Sequence, residues 1–333
     1  MHTLKSIAAA GLVVALAAAP ALAQDKVTFA TNWLAQAEHG GYYQAVADGT
    51  YAKYGLDVTI MQGGPQSPGR PMLVSGQVEF YMGGMTGAID AVKEGIPTIT
   101  LAAIFQKDPQ ILMAHPEAGF ADFAALAGAD KYILSADGFS TYFTWMKAEY
   151  PAFVDEKYEP YQFNPASFLA NPKSIQQGYL TSEPFEIERQ AGFAPQVFLL
   201  ADQGFNPYST TIEAMKPWVA ANPDIAKRFV EATIVGWYTY LYGDNAAGNA
   251  LIKSDNPEMT DDQLAYSLEK MKEYGIVVSD AAETDGIGCM TAERWQSHYD
   301  RMVEIGLFEA GIDVTQAYTT EYVCQKLGME LVK

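Results

Sequence analysis

Residues 27–60 read VTFATNWLAQAEHGGYYQAVADGTYAKYGLDVTI, and their hydrophobic pattern indicates the fold class. The run from Val27 to Ala30 is typical of a buried strand, and Gly41 to Ala47 predicts a short helix that ends before Gly49. Leu56 to Ile60 alternates as a strand does. A helix between two strands makes them parallel, because the connection must return the chain to the same end of the sheet. The stretch therefore predicts an α/β fold.

The same order of elements recurs along the chain. Strand, helix and strand patterns follow at 78–82, 87–94 and 98–105, and a second set is predicted at 131–135, 142–150, 161–163, 185–190 and 197–200. Beyond Pro217 the pattern is helical, with a capping box at Thr260 and a further helix at 292–305. Two α/β sets predict two lobes with mostly parallel sheets. Ligands of such folds bind in a cleft at the carboxyl ends of the strands.

The first 23 residues have the composition of an export signal. One cation, Lys5, is followed by an apolar run from Ile7 to Ala19, and Ala21 and Ala23 form an A-x-A cleavage site. A membrane helix is the alternative, although the run is short and a proline follows it. A cleaved signal peptide over residues 1–23 predicts a periplasmic protein.

The composition excludes several classes of function. With 21 Lys and Arg against 40 Asp and Glu the net charge is -19, so we expect no nucleic acid as a partner. The four histidines show no metal-ligand spacing, and we expect neither a metal nor a cofactor. Cys289 and Cys324 lie in an oxidising compartment, where they form either a disulfide or two isolated buried thiols.

Four strand-to-helix turns and one later segment supply the candidate ligand-binding residues. These are Asn32, Trp33 and His39 in the first turn, Met85 and Thr86 in the second, Asp137 and Tyr142 in the third, Glu183 in the fourth, and Tyr208 in the later segment. Trp33 either offers a flat face for a heteroaromatic ring or packs in the core. His39 either hydrogen-bonds in the plane of such a ring or holds the structure.

Glu183 is the most informative of these residues. A carboxylate in a cleft accepts two hydrogen bonds from the edge of an aminopyrimidine, whereas an exposed one at a helix start is stabilised by the helix dipole. Asp137 has the alternative of capping the helix that follows it. Tyr142 and Tyr208 are either second stacking faces or packing residues.

The charged residues favour one class of solute. Anion binders use Arg, Lys or free helix N-termini, yet Arg70 and Lys107 are the only cations that we expect near the rim of the cleft. A flat, neutral or weakly basic nitrogen heterocycle is therefore the predicted solute. A small anion such as a sulfonate or carboxylate stays as the alternative, because the turn SADGFST at 135–141 offers backbone N–H groups.

Several spaced motifs resemble one family of proteins. They are Asn32-Trp33 with His39 six residues on, GTYAKYGLDVTI at 49–60, KEGIPTITLAAIFQKDP at 93–109, GYLTSEP at 178–184 and NPYSTTIEAM at 206–215. Together they resemble the thiamine-precursor family of extracytoplasmic solute-binding proteins, relatives of the sulfonate, taurine and nitrate binders. The resemblance implies a type II periplasmic-binding fold, two α/β lobes joined by two crossing strands with the ligand cleft between them.

The same resemblance implies partners and domain limits. We expect a monomer that delivers a small-molecule solute to the permease of an ABC transporter at the inner membrane, with lobe 1 at 26–112 plus 208–333 and lobe 2 at 113–207. A fungal pyrimidine synthase is similar along the first motif and provides an enzymatic alternative. Its lysine and histidine correspond to Gly83 and Gly87 here, and its cysteine cluster to residues 206–210, so we expect no enzyme.

Overall fold

The computed structural model describes residues 23–64, 67 and 69–332. The predicted signal peptide therefore lies outside the described residues, apart from Ala23. In the part of the chain that is described, no helix is long and apolar enough to cross a membrane.

The strands form two five-stranded sheets. They are β1 (Asp25–Ala30), β2 (Leu56–Met61), β3 (Phe80–Gly83), β4 (Thr98–Phe105), β5 (Gln110–Ala114), β6 (Lys131–Leu134), β7 (Tyr158–Pro160), β8 (Ser174–Tyr179), β9 (Gln196–Leu199) and β10 (Ser209–Met215). The first sheet has the order β2-β1-β3-β10-β4 and the second the order β7-β6-β8-β5-β9. The predicted α/β class is confirmed.

Helices lie between the strands and after them. They are α1 (Gly40–Ala47), α2 (Thr50–Lys53), α3 (Arg70–Val74), α4 (Met85–Lys93), α5 (Ala136–Ser140), α6 (Tyr142–Glu149), α7 (Ala166–Ala170), α8 (Glu183–Ala191), α9 (Lys216–Ala221), α10 (Pro223–Tyr242), α11 (Ala246–Asp255), α12 (Asp261–Glu273), α13 (Asp280–Asp285) and α14 (Ala292–Glu304). The Thr260 hydroxyl accepts a hydrogen bond from the Gln263 N–H at 3.2 Å, so the predicted cap of α12 is confirmed.

Each sheet is mixed but mostly parallel, as predicted, because four of its five strands run in one direction and one strand is reversed. In the first sheet β1 runs parallel to β2 and β3, but β10 runs antiparallel to β3 and β4. In the second sheet β6 runs parallel to β7 and β8, but β5 runs antiparallel to β8 and β9. Both antiparallel strands follow a crossing from one sheet to the other, between β4 and β5 and between β9 and β10. The crossing reverses the direction in which the chain enters its new sheet.

Some strand predictions were wrong. The predicted strand at 161–163 lies instead at β7, and the pattern analysis found neither β5 nor β8 nor β10 as strands. β5 belongs entirely to the second sheet although the expected lobe boundary falls within it, at 112/113. The lobe limits 26–112 plus 208–333 and 113–207 stay a proposal.

The Gly-Gly pair of the opening stretch allows α1 to pack directly on α10. A Cβ atom on Gly40 would lie 2.1 Å from the Tyr240 ring, and one on Gly41 would lie 2.2 Å from the Trp237 ring. Any side chain at either position would push the two helices apart. This close contact fixes the turn that precedes α1, which carries Glu38 and His39.

The C-terminal segment is tied to the first sheet. Cys289 and Cys324 form a disulfide, so of the two alternatives for these cysteines the structure has the cross-link. Next to Cys289, Gly288 pairs with Ala103 of β4 through an isolated bridge, and Tyr318 pairs with Thr100 of the same strand. The segments on either side of α14 thus cover the outer edge of the first sheet.

Candidate ligand-binding cleft

Two adjoining cavities lie between the sheets, one of about 330 Å³ and one of about 680 Å³. The nine predicted site residues all line at least one of them. The smaller cavity includes Trp33, His39 and Glu183, the larger includes Met85, Thr86 and Tyr208, and both include Asn32, Asp137 and Tyr142. The structure therefore brings the predicted residues together, and their contact with a ligand stays a prediction.

Trp33 lies at the mouth of the smaller cavity. Its ring centroid is 5.2 Å from that of Phe163, with 43° between the planes, and Phe163 is 39% exposed. Tyr161 also packs against Phe163, with their centroids 5.2 Å apart. Since Phe163 follows β7 of the second sheet, aromatic rings from both sides meet over this cavity. Tyr161 and Phe163 were not predicted to line a cleft, because the alternation at 161–163 indicated a strand.

Glu38 is a site residue that the sequence analysis did not find. It is 3% exposed and lines the smaller cavity. The hydroxyl of Thr181, at the end of β8, donates a hydrogen bond to its carboxylate. Burial raises the pKa of Glu38 to about 7, although this hydrogen bond acts against the rise. The carboxylate that precedes α1 therefore reaches the segment between β8 and α8.

His39 follows Glu38 and lines the same cavity. It is 1% exposed, and burial lowers its pKa to about 3, so the imidazole is neutral at physiological pH. Its Nδ1 atom is buried and has no hydrogen-bond partner among the described residues. A buried polar atom without a partner is costly, which makes it a natural contact for a ligand.

Glu183 is the first residue of α8, and it is half-buried at the wall of the smaller cavity. Its carboxylate accepts a hydrogen bond of 2.7 Å from the Tyr179 N–H. Burial raises the pKa of Glu183 to about 7, and the charge of Glu38 adds to the rise. Glu183 is thus only partly exposed at the start of its helix, and its contact with a ligand stays a prediction.

Asp137 and Tyr142 lie where the two cavities meet. Asp137 lies within α5, whose cap is Ser135, and among the described residues no side chain caps α6, so the alternative that Asp137 caps the following helix is wrong. Tyr142 is buried, and its hydroxyl donates to the Gln177 side chain at 2.8 Å. Asp137 itself is exposed at the opening.

Around the larger cavity the predicted residues are already engaged by the protein. The Thr86 hydroxyl lies 3.0 Å from Nε2 of His298. Tyr208 is 1% exposed, its hydroxyl accepts from the Thr291 N–H at 3.2 Å, and the Arg294 guanidinium covers its ring at 4.1 Å. The expectation that Tyr208 offers a stacking face is therefore not supported on the side that Arg294 covers.

The cations near the cleft are neutralised by carboxylates. Arg70 lines the larger cavity and donates three hydrogen bonds of 2.8 to 3.0 Å to the fully buried Glu213. Lys107 lies 2.6 Å from the Asp202 carboxylate, and Lys93 lies 3.4 Å from that of an aspartate one turn before it. Among the described residues, no lysine or arginine lines the smaller cavity.

The backbone donors of the turn at 135–141 are also largely used. The Ser135 N–H donates to the Gln177 side chain at 2.6 Å. The Gly138, Phe139 and Thr141 N–H groups donate within the turn itself. The turn therefore offers an anion few free donors, and helix α5 has only five residues. In the described residues no group of three His, Cys, Asp or Glu side chains could hold a metal ion.

Comparisons with known proteins agree on the fold. A family model described as NMT1/THI5 like matches residues 36–244. The riboflavin-binding protein RibY of Chloroflexus aurantiacus is 26% identical over 312 residues, which cover 90% of this chain and 86% of that protein. The periplasmic aliphatic sulphonate binding protein SsuA from Escherichia coli has a TM-score of 0.63 at 15% identity, over 92% of this chain and 99% of that chain. The desulfurization enzyme DSZB has a TM-score of 0.57 at 12% identity, over 90% and 97%. The structural likenesses confirm the predicted periplasmic-binding fold.

Proposed function

Because the chain belongs to the NMT1/THI5-like family, we propose that it is the solute-binding protein of an ABC importer and that it captures a flat nitrogen heterocycle. The observation that carries the choice of solute is the lining of the smaller cavity. An aromatic ring, a neutral imidazole and two shielded carboxylates line it, and no lysine or arginine does so in the described residues.

Each of these groups suits one part of such a solute. The ring of Trp33 provides a face on which a heteroaromatic ring stacks. The unpartnered nitrogen of His39 gains a hydrogen bond when a ring nitrogen or a substituent approaches it. Glu183 accepts hydrogen bonds from an amino group on the edge of the ring. A thiamine-precursor pyrimidine or another nucleobase-like ring presents all three features.

The volume and one relative support the same class. A cavity of about 330 Å³ is near the lower end of the roughly 300 to 1,000 Å³ that ligand pockets occupy. The adjoining larger cavity leaves room for a substituent on the ring. RibY, the relative from Chloroflexus aurantiacus, is named for riboflavin, which is itself a flat nitrogen heterocycle.

The two alternatives are less well supported. A sulfonate or carboxylate would face the carboxylates of Glu38 and Glu183 without a free cation to compensate them. An enzyme like the pyrimidine synthase would place a lysine at the position of Gly83. A Cβ atom there would lie 1.8 Å from the Glu213 carboxylate, so a lysine does not fit unless Glu213 moves. We therefore propose a binding protein without catalytic activity.

Location and partners follow from the family and from the N-terminal sequence. We propose that residues 1–23 direct export and are cleaved, and that the mature protein acts in the periplasm as a monomer. Its partners are the solute and the membrane permease that receives it.

A thermal-shift screen tests the choice of solute. The panel contains aminopyrimidines, purines and riboflavin beside taurine, other sulfonates and nitrate. A ligand that binds only the folded state raises the melting temperature by mass action, so we expect a shift with members of the heterocycle group. A response confined to sulfonates or nitrate would contradict the proposal.

Replacing Glu183 then tests the mode of binding. Glu183→Gln turns one acceptor into a donor that faces the amino group of the solute. We expect the affinity for the best aminopyrimidine to fall by about 2 to 4 kcal/mol, or roughly thirty- to a thousand-fold. Glu188→Gln, on an exposed position of the same helix, is the matched control and should bind as the parent does. An affinity of Glu183→Gln within about threefold of the parent, measured by calorimetry, removes Glu183 from the site.

A further inference from the structure

Glu38, before α1, and Glu183, at the start of α8, both line the smaller cavity. Thr181, two residues before Glu183, donates its hydroxyl to the Glu38 carboxylate. The Ser267 hydroxyl of α12 donates to the Thr181 carbonyl at 2.6 Å and holds this segment in place. The two carboxylates therefore line one cavity, and each is held by a hydrogen bond from the chain between Tyr179 and Thr181.

The protein satisfies these carboxylates only in part. Glu38 receives a hydrogen bond from Thr181 and from its own N–H, and Glu183 receives one from the Tyr179 N–H and from its own. An ionised carboxylate has about four acceptor sites, so each keeps sites for a ligand. His39, beside Glu38, adds a buried nitrogen without a partner among the described residues. This second observation indicates that a ligand completes the group.

Ionising both carboxylates in a shielded cavity without a counter-charge is energetically unfavourable, so the pair holds protons until a ligand binds. A ligand that brings a positive charge, or two adjacent N–H donors, stabilises the ionised carboxylates, so the protons are released. A ligand that presents carbonyl oxygens on the same edge would instead bind the protonated carboxyl groups, because these can donate hydrogen bonds to it. The chemistry of the pair thus distinguishes donor edges from acceptor edges.

We propose that Glu38 and Glu183 form a carboxylate pair that selects a cationic amidine edge, which is a ring or carbon atom bearing two adjacent N–H donors. The pair releases its own protons when such a ligand binds. The inference rests on the proposed function, because it concerns the same cavity, and it names the part of the solute that the pair recognises. A permanently protonated amidinium binds with both carboxylates ionised. The protons that the pair held before binding pass to the buffer.

Two other carboxyl groups near the pair could also release protons. Burial raises the pKa of Asp137, which lines the same cavity, and raises the pKa of Asp108, which lines the adjoining cavity, to about 7, so the variants below are needed to assign the protons to the pair. The groups that face the two carboxylates are His39, Tyr161, Tyr179, Glu186 and Tyr240. His39 is neutral, since its pKa is lowered to about 3, and burial raises the pKa values of the tyrosines. Glu186 is exposed at the surface of α8. Helix α12, which packs against residues 37–39, presents Gln263 and Ser267 on its buried side.

Isothermal titration calorimetry with benzamidine and benzamide tests the proposal. The two probes share size and shape, but only benzamidine is a permanent amidinium at neutral pH. Titrations at pH 7 in phosphate and in Tris give the number of protons released, because the two buffers differ in their ionisation enthalpy. We expect benzamidine to bind at least tenfold tighter than benzamide and to release about one proton. Its affinity should rise by up to about a hundredfold per pH unit near pH 6 and by about tenfold per unit near pH 7.

Variants assign the protons to the pair. Glu38→Gln and Glu183→Gln should each weaken benzamidine binding by tenfold or more and reduce the protons released, whereas Glu188→Gln should match the parent. The measurement on the parent protein needs no variant, so a variant that fails to fold does not remove the test.

The outcomes separate this inference from the proposed function. If aminopyrimidines or flavins bind but benzamidine and benzamide bind equally and release no proton, the pair does not select an amidine edge, and the proposed function stands. If benzamidine binds more tightly as the pH falls, the inference is likewise overturned. If no flat ring binds at all, both are overturned.

Discussion

Replacing Glu38 by glutamine should make the stability of the ligand-free protein less sensitive to pH. Burial raises the pKa of this carboxyl from 4.5 to about 7 in the folded protein. The folded state therefore binds more protons than the unfolded state between these two pH values. The stability that Glu38 contributes is full below about pH 4.5 and is lost as the pH rises through about 7.

The magnitude follows from the size of the shift. One unit of pKa difference corresponds to about 1.4 kcal/mol, so between pH 5 and pH 8 the ionisation of Glu38 should cost roughly 2 to 3 kcal/mol of unfolding free energy. The amide side chain in Glu38→Gln cannot ionise, yet its oxygen still accepts the hydrogen bond from Thr181. Between pH 5 and pH 8, we therefore expect the unfolding free energy of the variant to increase relative to that of the parent by roughly 2 to 3 kcal/mol.

Urea unfolding at the two pH values, without ligand, measures this gain. The five tryptophans provide a fluorescence signal and circular dichroism provides a second probe of the same transition. Glu188→Gln, at an exposed position, serves as the control for removing one negative charge. A difference between Glu38→Gln and the parent that is the same at pH 5 and pH 8, within about 0.5 kcal/mol, would refute a shielded, proton-holding Glu38.

Three further changes test other parts of the molecule. Trp33→Ala should weaken binding of the best heterocycle by about 1 to 3 kcal/mol in a calorimetric titration, and Trp33→Phe should recover part of it; equal affinities would remove Trp33 as a stacking face. Replacing Cys289 and Cys324 by Ser opens a loop of 35 residues, and urea unfolding should show a loss of up to about 4 kcal/mol; an unchanged midpoint would show that the tail is held without the cross-link. Arg70→Met leaves the buried Glu213 unpaired and should cost about 3 to 5 kcal/mol, which a second change, Glu213→Gln, should partly restore; a neutral single variant would contradict the buried pair.

Local patterns predicted the elements whose burial is uniform. β4 is buried along almost its whole length and is apolar apart from Thr98 and Thr100, and its predicted bounds, 98–105, are those of the structure. The patterns failed for β8 and β10, because buried polar residues interrupt their apolar runs. Gln176 in β8 and Glu213 in β10 are both fully buried, and the partner that neutralises Glu213 is 143 residues away. The periodicity of hydrophobic residues along the chain cannot reveal a partner so far away in sequence.

The same limit applies to the site. The turns that hold Trp33, His39 and Glu183 were predictable, since strand-to-helix turns converge in this class of fold. Glu38 was not, because a glutamate in a turn is normally exposed, and its hydrogen-bond partner, Thr181, is 143 residues away in sequence. The Gly-Gly pair likewise depends on residues distant in sequence, because the rings of Trp237 and Tyr240 leave no room for a side chain at these two positions.

A crystal structure of the protein with a bound 4-aminopyrimidine tests the central claim most directly. We predict that the ring lies in the smaller cavity against Trp33, with its amino-bearing edge about 3 Å from the carboxylate oxygens of Glu38 and Glu183. A ring bound elsewhere, or bound in this cavity with its amino group turned away from both carboxylates, would contradict the account.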